Sequence, residues 1–113
     1  MSVEIIRGTT PTLDFPIENT SIIKELEITF SQCIDGETLT LQKELGKGEV
    51  ELYQNYVRIR LSEEETFTFS TGAVSLQMRI LSKNGNVAAS NIERIKIMPS
   101  LSDDILSKEA ANE

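Results

Sequence analysis

The chain reads as an all-β domain of antiparallel strands, and three observations carry that reading. Six stretches alternate apolar and polar residues with a period of two, most clearly Val74-Ser75-Leu76-Gln77-Met78-Arg79-Ile80. Successive side chains of a strand point to opposite faces, so such a segment asks for one dry face and one wet face. Asn84-Gly85 stands between two extended runs, and both residues tolerate the positive φ of a type I′ hairpin turn. The chain is 39% hydrophobic but only 5% aromatic. That leaves Ile, Leu and Val to fill the interior, where branched aliphatics pack well on a pleated surface.

Taken in order, residues 3–7 read as a short first strand, broken by Gly8-Thr9-Thr10-Pro11. Residues 12–17 are extended again, with Leu13, Phe15 and Ile17 in phase; Pro16 lacks a backbone donor and places this strand at an edge or a bend. Asn19-Thr20-Ser21 offers capping residues, and one helical turn is expected over Ile22-Ile23-Lys24-Glu25. Residues 26–33 form a strand with Leu26, Ile28 and Phe30 inward, turning at Asp35-Gly36 into a partner strand whose inward pair is Leu39 and Leu41. Gly46-Lys47-Gly48 is an exposed loop, residues 49–53 a short strand, Gln54-Asn55 a turn, and residues 56–61 a strand burying Val57, Ile59 and Leu61. Ser62 and Glu65 match a capping box, which predicts one helical turn across an end of the sheets. Phe67 and Phe69 are expected in the core. The long hairpin of residues 73–83 and 86–98 follows, with Val87 and Ala89 in phase with Ile95 and Ile97, and Ile92 out of phase, which predicts a bulge near Ser90-Asn91.

About seven or eight short strands joined by frequent turns indicate a sandwich or a barrel, and two sheets packed face to face satisfy the alternation with one core. With 113 residues this is one domain, over residues 1–99, and a core of that size forms without disulfides or metals. Pro99 closes the domain; residues 100–113 form an acidic C-terminal tail, a short helix or disordered.

The formal net charge is -7 with no basic stripe, so a phosphate backbone is repelled and nucleic-acid binding is not expected. No run of apolar residues is long enough to span a membrane, and Met1-Ser2-Val3-Glu4 lacks the basic and apolar regions of a secretory signal. The cytoplasm is therefore the expected location on synthesis. The single thiol, Cys33, is expected buried or half-buried as a small apolar residue.

The chain contains no histidine, which removes the commonest general base and metal ligand, and with them any Ser-His-Asp or Cys-His arrangement within it. Glu63-Glu64-Glu65 and Asp103-Asp104 are adjacent acids that do not converge on a point, and they read as solvated surface. Asp35-Gly36-Glu37 is too sparse for a calcium loop and fits a turn. Gly46-Lys47-Gly48 lacks the spacing and the following helix of a phosphate loop. No catalytic residue, cofactor or metal is expected. Tyr53 and Tyr56 flank a turn, where they serve as rim packing or as a stacking platform for a sugar.

Three stretches stand out together: Arg7-Gly8-Thr9-Thr10-Pro11-Thr12-Leu13-Asp14-Phe15, Ile23-Lys24-Glu25-Leu26-Glu27-Ile28-Thr29-Phe30-Ser31-Gln32, and the segment from Leu76-Gln77-Met78-Arg79-Ile80 through Asn84-Gly85 to Ala89-Ser90-Asn91. They resemble the N-terminal domain family of phage baseplate upper proteins, structural proteins of prophages, which implies a place in the virion tail after assembly. Leu61-Ser62-Glu63-Glu64-Glu65-Thr66 adds a fourth element similar to one that precedes the last hairpin in that family. The resemblance implies an immunoglobulin-like sandwich that attaches tail components to each other. It departs after Pro99, where a short acidic tail stands in place of a long coiled region and receptor-facing end.

These readings lead to a non-enzymatic structural protein of a phage or prophage tail, acting by docking to other tail or baseplate proteins or to further copies of itself. Candidate contacts are Thr9, Thr10 and Pro11, together with Ile105 and Leu106 of the tail, whose apolar pair would lie in a neighbour's groove. The alternative is a carbohydrate-binding module for host cell wall, working through Tyr53 and Tyr56. A small regulator that binds a host protein carries the same sequence expectations as the docking module.

Overall fold

The computed structural model describes residues 3–47, 49–102 and 106. In chain order these form β1 (Val3–Ile6), β2 (Thr12–Pro16), a 3₁₀ turn (Thr20–Ile22), β3 (Ile23–Ile34), β4 (Glu37–Glu44), β5 (Val50–Leu52), β6 (Tyr56–Arg60), α1 (Glu63–Thr68), β7 (Gly72–Ser82), β8 (Val87–Ala89) and β9 (Glu93–Met98). The larger sheet runs β1-β9-β7-β3-β4, with β8 also paired to β7, and the smaller runs β2-β6-β5. The chain crosses between the layers, so β2, β6 and β5 face a sheet centred on β3 and β7. This is the connectivity of an immunoglobulin-like β-sandwich. Every ladder is antiparallel except β1 on β9, which is parallel.

The expected alternation holds through the core. Leu26, Ile28 and Phe30 of β3, Val74 and Leu76 of β7, and Val57 and Ile59 of β6 are all buried. Phe30 meets Phe69 at the sheet interface, ring centroids 6.3 Å apart and tilted 49°. Each such side chain contributes about 2 kcal/mol of burial, which fixes register because a one-residue slip would turn a whole strand's set to water. Pro16 lies on an edge strand, as its missing donor requires.

Among the described residues nine strands replace the expected seven or eight, because a bulge divides the last arm. Leu76 pairs with Glu93 and Arg79 with Ala89, so three residues on the β8–β9 side oppose two on β7. The Ser90 amide donates to Met78 O at 2.8 Å, and the Met78 amide to Ser90 Oγ at 3.0 Å. The extra residue inverts the phase. Ala88, not Val87 or Ala89, therefore shares the inward side with Ile80, and Val87 is 61% exposed. A second bulge at the start of β3 lets Ile23 and Leu26 both point inward.

Local details differ from the sequence expectations for physical reasons. Both Asp35 (φ 53) and Gly36 (φ 81) are left-handed, so the I′ requirement is met there, while at the other hairpin only Gly85 (φ 91) is. Ser82 accepts from the Gly85 amide and donates to Asn86 O; the loop thus holds three residues, a turn ended by a left-handed glycine. The helical turn expected over residues 22–25 closes earlier, over Thr20–Ile22, capped by Asn19 Oδ1 on the Ser21 amide. Cys33 is exposed, a correction to its expected burial: Leu26, Ile28, Phe30 and Gln32 take the inward phase and leave Cys33 outward. Phe67 is only half-buried, because α1 extends to Thr68 and carries that ring toward Gly8 under the Arg7 guanidinium, 5.5 Å from its centroid.

Candidate functional site

The sandwich presents two differently built ends. At one end α1 is held by the capping box foreseen from Ser62 and Glu65: the Glu65 amide donates to Ser62 Oγ at 3.1 Å, and the Ser62 amide to Glu65 Oε1 at 2.7 Å. Thr66 is wholly buried; its hydroxyl accepts from the Gly8 amide at 3.0 Å and lies 2.8 Å from Thr9 O and 3.0 Å from Glu63 O. This anchors the loop that carries Thr9, Thr10 and Pro11. Thr9 and Thr10 are exposed and Pro11 half-buried, its carbonyl accepting from the Leu61 amide. Leu106 meets the same end, its amide donating to Glu63 Oε2 at 2.6 Å, with its side chain 67% exposed. Ile105 lies outside the described residues.

The triple glutamate is not a solvated run. Glu63 is buried and Glu65 half-buried; only Glu64 is exposed. Lys43 sits on the inward phase of β4 behind Leu39 and Leu41, 6% exposed, with its ammonium between Glu49 and Glu65, 2.8 Å from the latter. A lysine inside a sandwich is sustained only by such partners. Gln32 is likewise buried and forms two bonds with the backbone of Ser70. Residue type marks both as surface groups; strand phase alone places them inward.

The other end gathers the β5–β6 turn, the 3₁₀ turn and the β7–β8 hairpin. The Thr20 hydroxyl donates to the carbonyls of Tyr53 and Gln54, the Ile17 amide to Asn55 O at 2.8 Å, and the Lys83 amide to Ile22 O at 2.8 Å. Tyr53 and Tyr56 project from the outer face of the smaller sheet. They stack on each other, ring centroids 4.7 Å apart and 8° from parallel. Arg58 lies 5.2 and 5.5 Å from the two centroids and grips Asp14 across the β2–β6 ladder through Nε at 2.8 Å and Nη2 at 3.1 Å. The Tyr53 hydroxyl donates to Glu51 Oε2 at 2.6 Å. The hydrogen bonds from Arg58 hold the Asp14 carboxyl below the usual carboxylate range, and the bond to Glu51 pushes the Tyr53 phenol above its usual value. In this cluster donors meet acceptors and the facing ring surfaces cover each other.

Beside it lies a groove of about 460 Å³ between the 3₁₀ turn and the β7–β8 hairpin. Ile17, Ile22, Ile23, Ile80 and Ala88 supply its apolar lining, and Asn19, Ser21, Ser82, Asn84 and Asn86 most of its rim; Lys83 is the one charged residue among those that line it. Ile22 is 53% exposed here. Sequence reading missed this groove because it is assembled from segments some sixty residues apart (17–23 and 80–88) that only β3–β7 pairing brings together. The candidate contacts therefore divide: Thr9, Thr10, Pro11 and Leu106 meet at the α1 end, and Tyr53 and Tyr56 stand at the opposite end.

Among the described residues no three His, Cys, Asp or Glu side chains gather as a metal site, and no helix is long and apolar enough to cross a membrane. No protein-family model matches the chain, and no curated protein matches it in sequence.

Proposed function

We propose that this domain is a non-enzymatic structural protein of a phage or prophage tail, placed at the baseplate, whose work is docking to neighbouring tail proteins. The observation that supports this best is the end built from the 3₁₀ turn and the β7–β8 hairpin. There an apolar groove adjoins exposed Ile22 in a chain whose net charge is -7. An exposed apolar surface rimmed by amides and hydroxyls is the anatomy of a protein contact. The tail context comes from the likeness of the three stretches named above, and the immunoglobulin-like sandwich is the fold that likeness implies.

Carbohydrate binding at Tyr53 and Tyr56 is the second reading. It draws on two half-buried rings beside Arg58 and Asp14. It is the weaker reading, because each ring spends one face on the other and a sugar needs a free aromatic face.

Particles purified after induction of the host strain test the first reading: mass spectrometry should find this chain at fixed stoichiometry with tail proteins, and its absence from particles and from assembly intermediates would sink it. Chemical-shift titration with host wall polysaccharide, read at Tyr53 and Tyr56, tests the second. Deleting residues 101–113 and measuring oligomeric mass decides whether the tail takes part in assembly; an unchanged mass removes it.

A further inference from the structure

The register of β8 determines which of its backbone groups are free. Antiparallel ladders alternate bonded and non-bonded pairs. The Ser82 amide donates to Asn86 O and the Ser90 amide to Met78 O, so Asn86, Ala88 and Ser90 turn their peptide groups toward β7. Val87 and Ala89, opposite Leu81 and Arg79, turn theirs away, and no described strand pairs with β8 on that side. The edge from Asn86 through Ile92 carries no charge and no proline. Natural edge strands are normally blunted by just those residues, as Pro16 on β2 and Glu51 on β5 illustrate here.

We propose, building on the docking reading above, that β8 accepts an extended strand from a partner protein, which carries a large apolar side chain into the adjoining groove and a carboxylate to Lys83. Ala88 belongs both to the edge strand and to the groove wall, so a strand laid on β8 has its inward-facing side chains over the groove. Main-chain bonds to Val87 and Ala89 supply affinity, and the groove selects the side chain, which is the logic of strand addition. A second copy of this chain is a poor occupant. Pairing β8 with β8 would place only alanine, the inward residue of that strand, over a groove of about 460 Å³. With no carboxylate among the described residues of the lining and Lys83 on the rim, this is a place on an acidic molecule where an acidic strand is tolerated.

The probe is the peptide acetyl-Thr-Phe-Glu-Phe-Thr-Ile-Thr-amide, titrated into the full chain by NMR. Saturable shifts are expected at the amides of Val87 and Ala89 and the methyls of Ile22 and Ile80. Ala89→Pro removes an amide that faces away from β7; it should weaken binding about tenfold or more with the melting temperature unchanged. Lys83→Glu should weaken the same peptide and spare its Glu→Lys counterpart. The proposal is overturned if the wild-type chain shows no saturation by about 1 mM, if a peptide with proline at its centre binds equally well, if the shifts map elsewhere, or if the free chain is a dimer that Ala89→Pro dissociates. Should the peptide fail while the chain is still found in tail particles, strand addition is wrong and the docking reading stands.

Discussion

Gly8 is a residue whose identity is set by both backbone and neighbour. Its φ is +79, in the left-handed region, and a Cβ at this position would overlap the Phe67 ring. The ring has little room to retreat, lying beneath Arg7, whose Nε and Nη2 bond Phe69 O at 2.8 Å and Phe67 O at 3.0 Å. Gly85, at φ +91, has nothing near its missing Cβ. Gly85→Ala should therefore cost about 1 kcal/mol, the conformational term alone, and Gly8→Ala about 2–4 kcal/mol; chemical denaturation of the pair separates strain from overlap. At Asp14 the sign of a pH effect follows from the structure. Arg58 lowers its folded pKa, so the contribution of Asp14 to stability is present above the ordinary carboxylate pKa and is lost as pH falls through the lower folded value. Asp14→Asn should flatten the acid limb of the stability profile below about pH 4, and an unaltered limb would show that the pair contributes nothing measurable, as many exposed ion pairs do.

Among the elements, α1 has only six residues, too few to persist alone, and its caps and its buried threonine hold it. Thr66→Val keeps the volume but leaves the Gly8 amide and the Thr9 carbonyl without their partner, at a cost of about 1–3 kcal/mol. Ser62→Ala removes half the capping box, for about 1 kcal/mol. Hydrogen exchange tells the two apart: Gly8 should lose its protection in Thr66→Val and keep it in Ser62→Ala. The capping box was legible in the sequence because its signal spans four residues, and so were the strands, whose phase is local. What failed to show locally was decided by register. Asp35-Gly36 and Asn84-Gly85 have the same intrinsic preference, yet the strands flanking the second close one residue farther apart, and Asn84 then has no need of positive φ. Lys43 reads as surface by type and is interior by phase. Val87 reads as interior by phase and is exposed, because the bulge it helped to reveal also inverts the side it faces. The tyrosine pair was legible as two rings about a turn. Its tie through Arg58 to Asp14 was not, since forty-four residues separate the two, and the groove beside it has no contiguous signature at all.

At the scale of the molecule, the larger sheet depends on its first strand for closure. β1 is only four residues long and pairs in parallel with β9, from Val3 opposite Ile95 to Ile6 opposite Met98. The Arg7 amide extends that ladder to Met98 O at 3.0 Å. Ile5 is 3% exposed and belongs to the common core, so β1 serves both as a lid on the interior and as a cover on the edge of β9. These two roles are separable. Ile5→Ala keeps the edge covered and loses packing, at about 2–4 kcal/mol. Removing residues 1–6 loses the same packing and also bares the β9 edge, which then continues into the uncharged edge of β8. If edge protection is a distinct role of β1, the truncated chain should self-associate in a concentration-dependent way by light scattering under conditions where Ile5→Ala, matched to it in stability with denaturant, remains monodisperse. Equal scattering from the two at matched stability would mean that exposed interior, not exposed edge, drives association. A monodisperse truncated chain would mean that Glu93, Arg94 and Lys96 on β9 already guard that edge by charge.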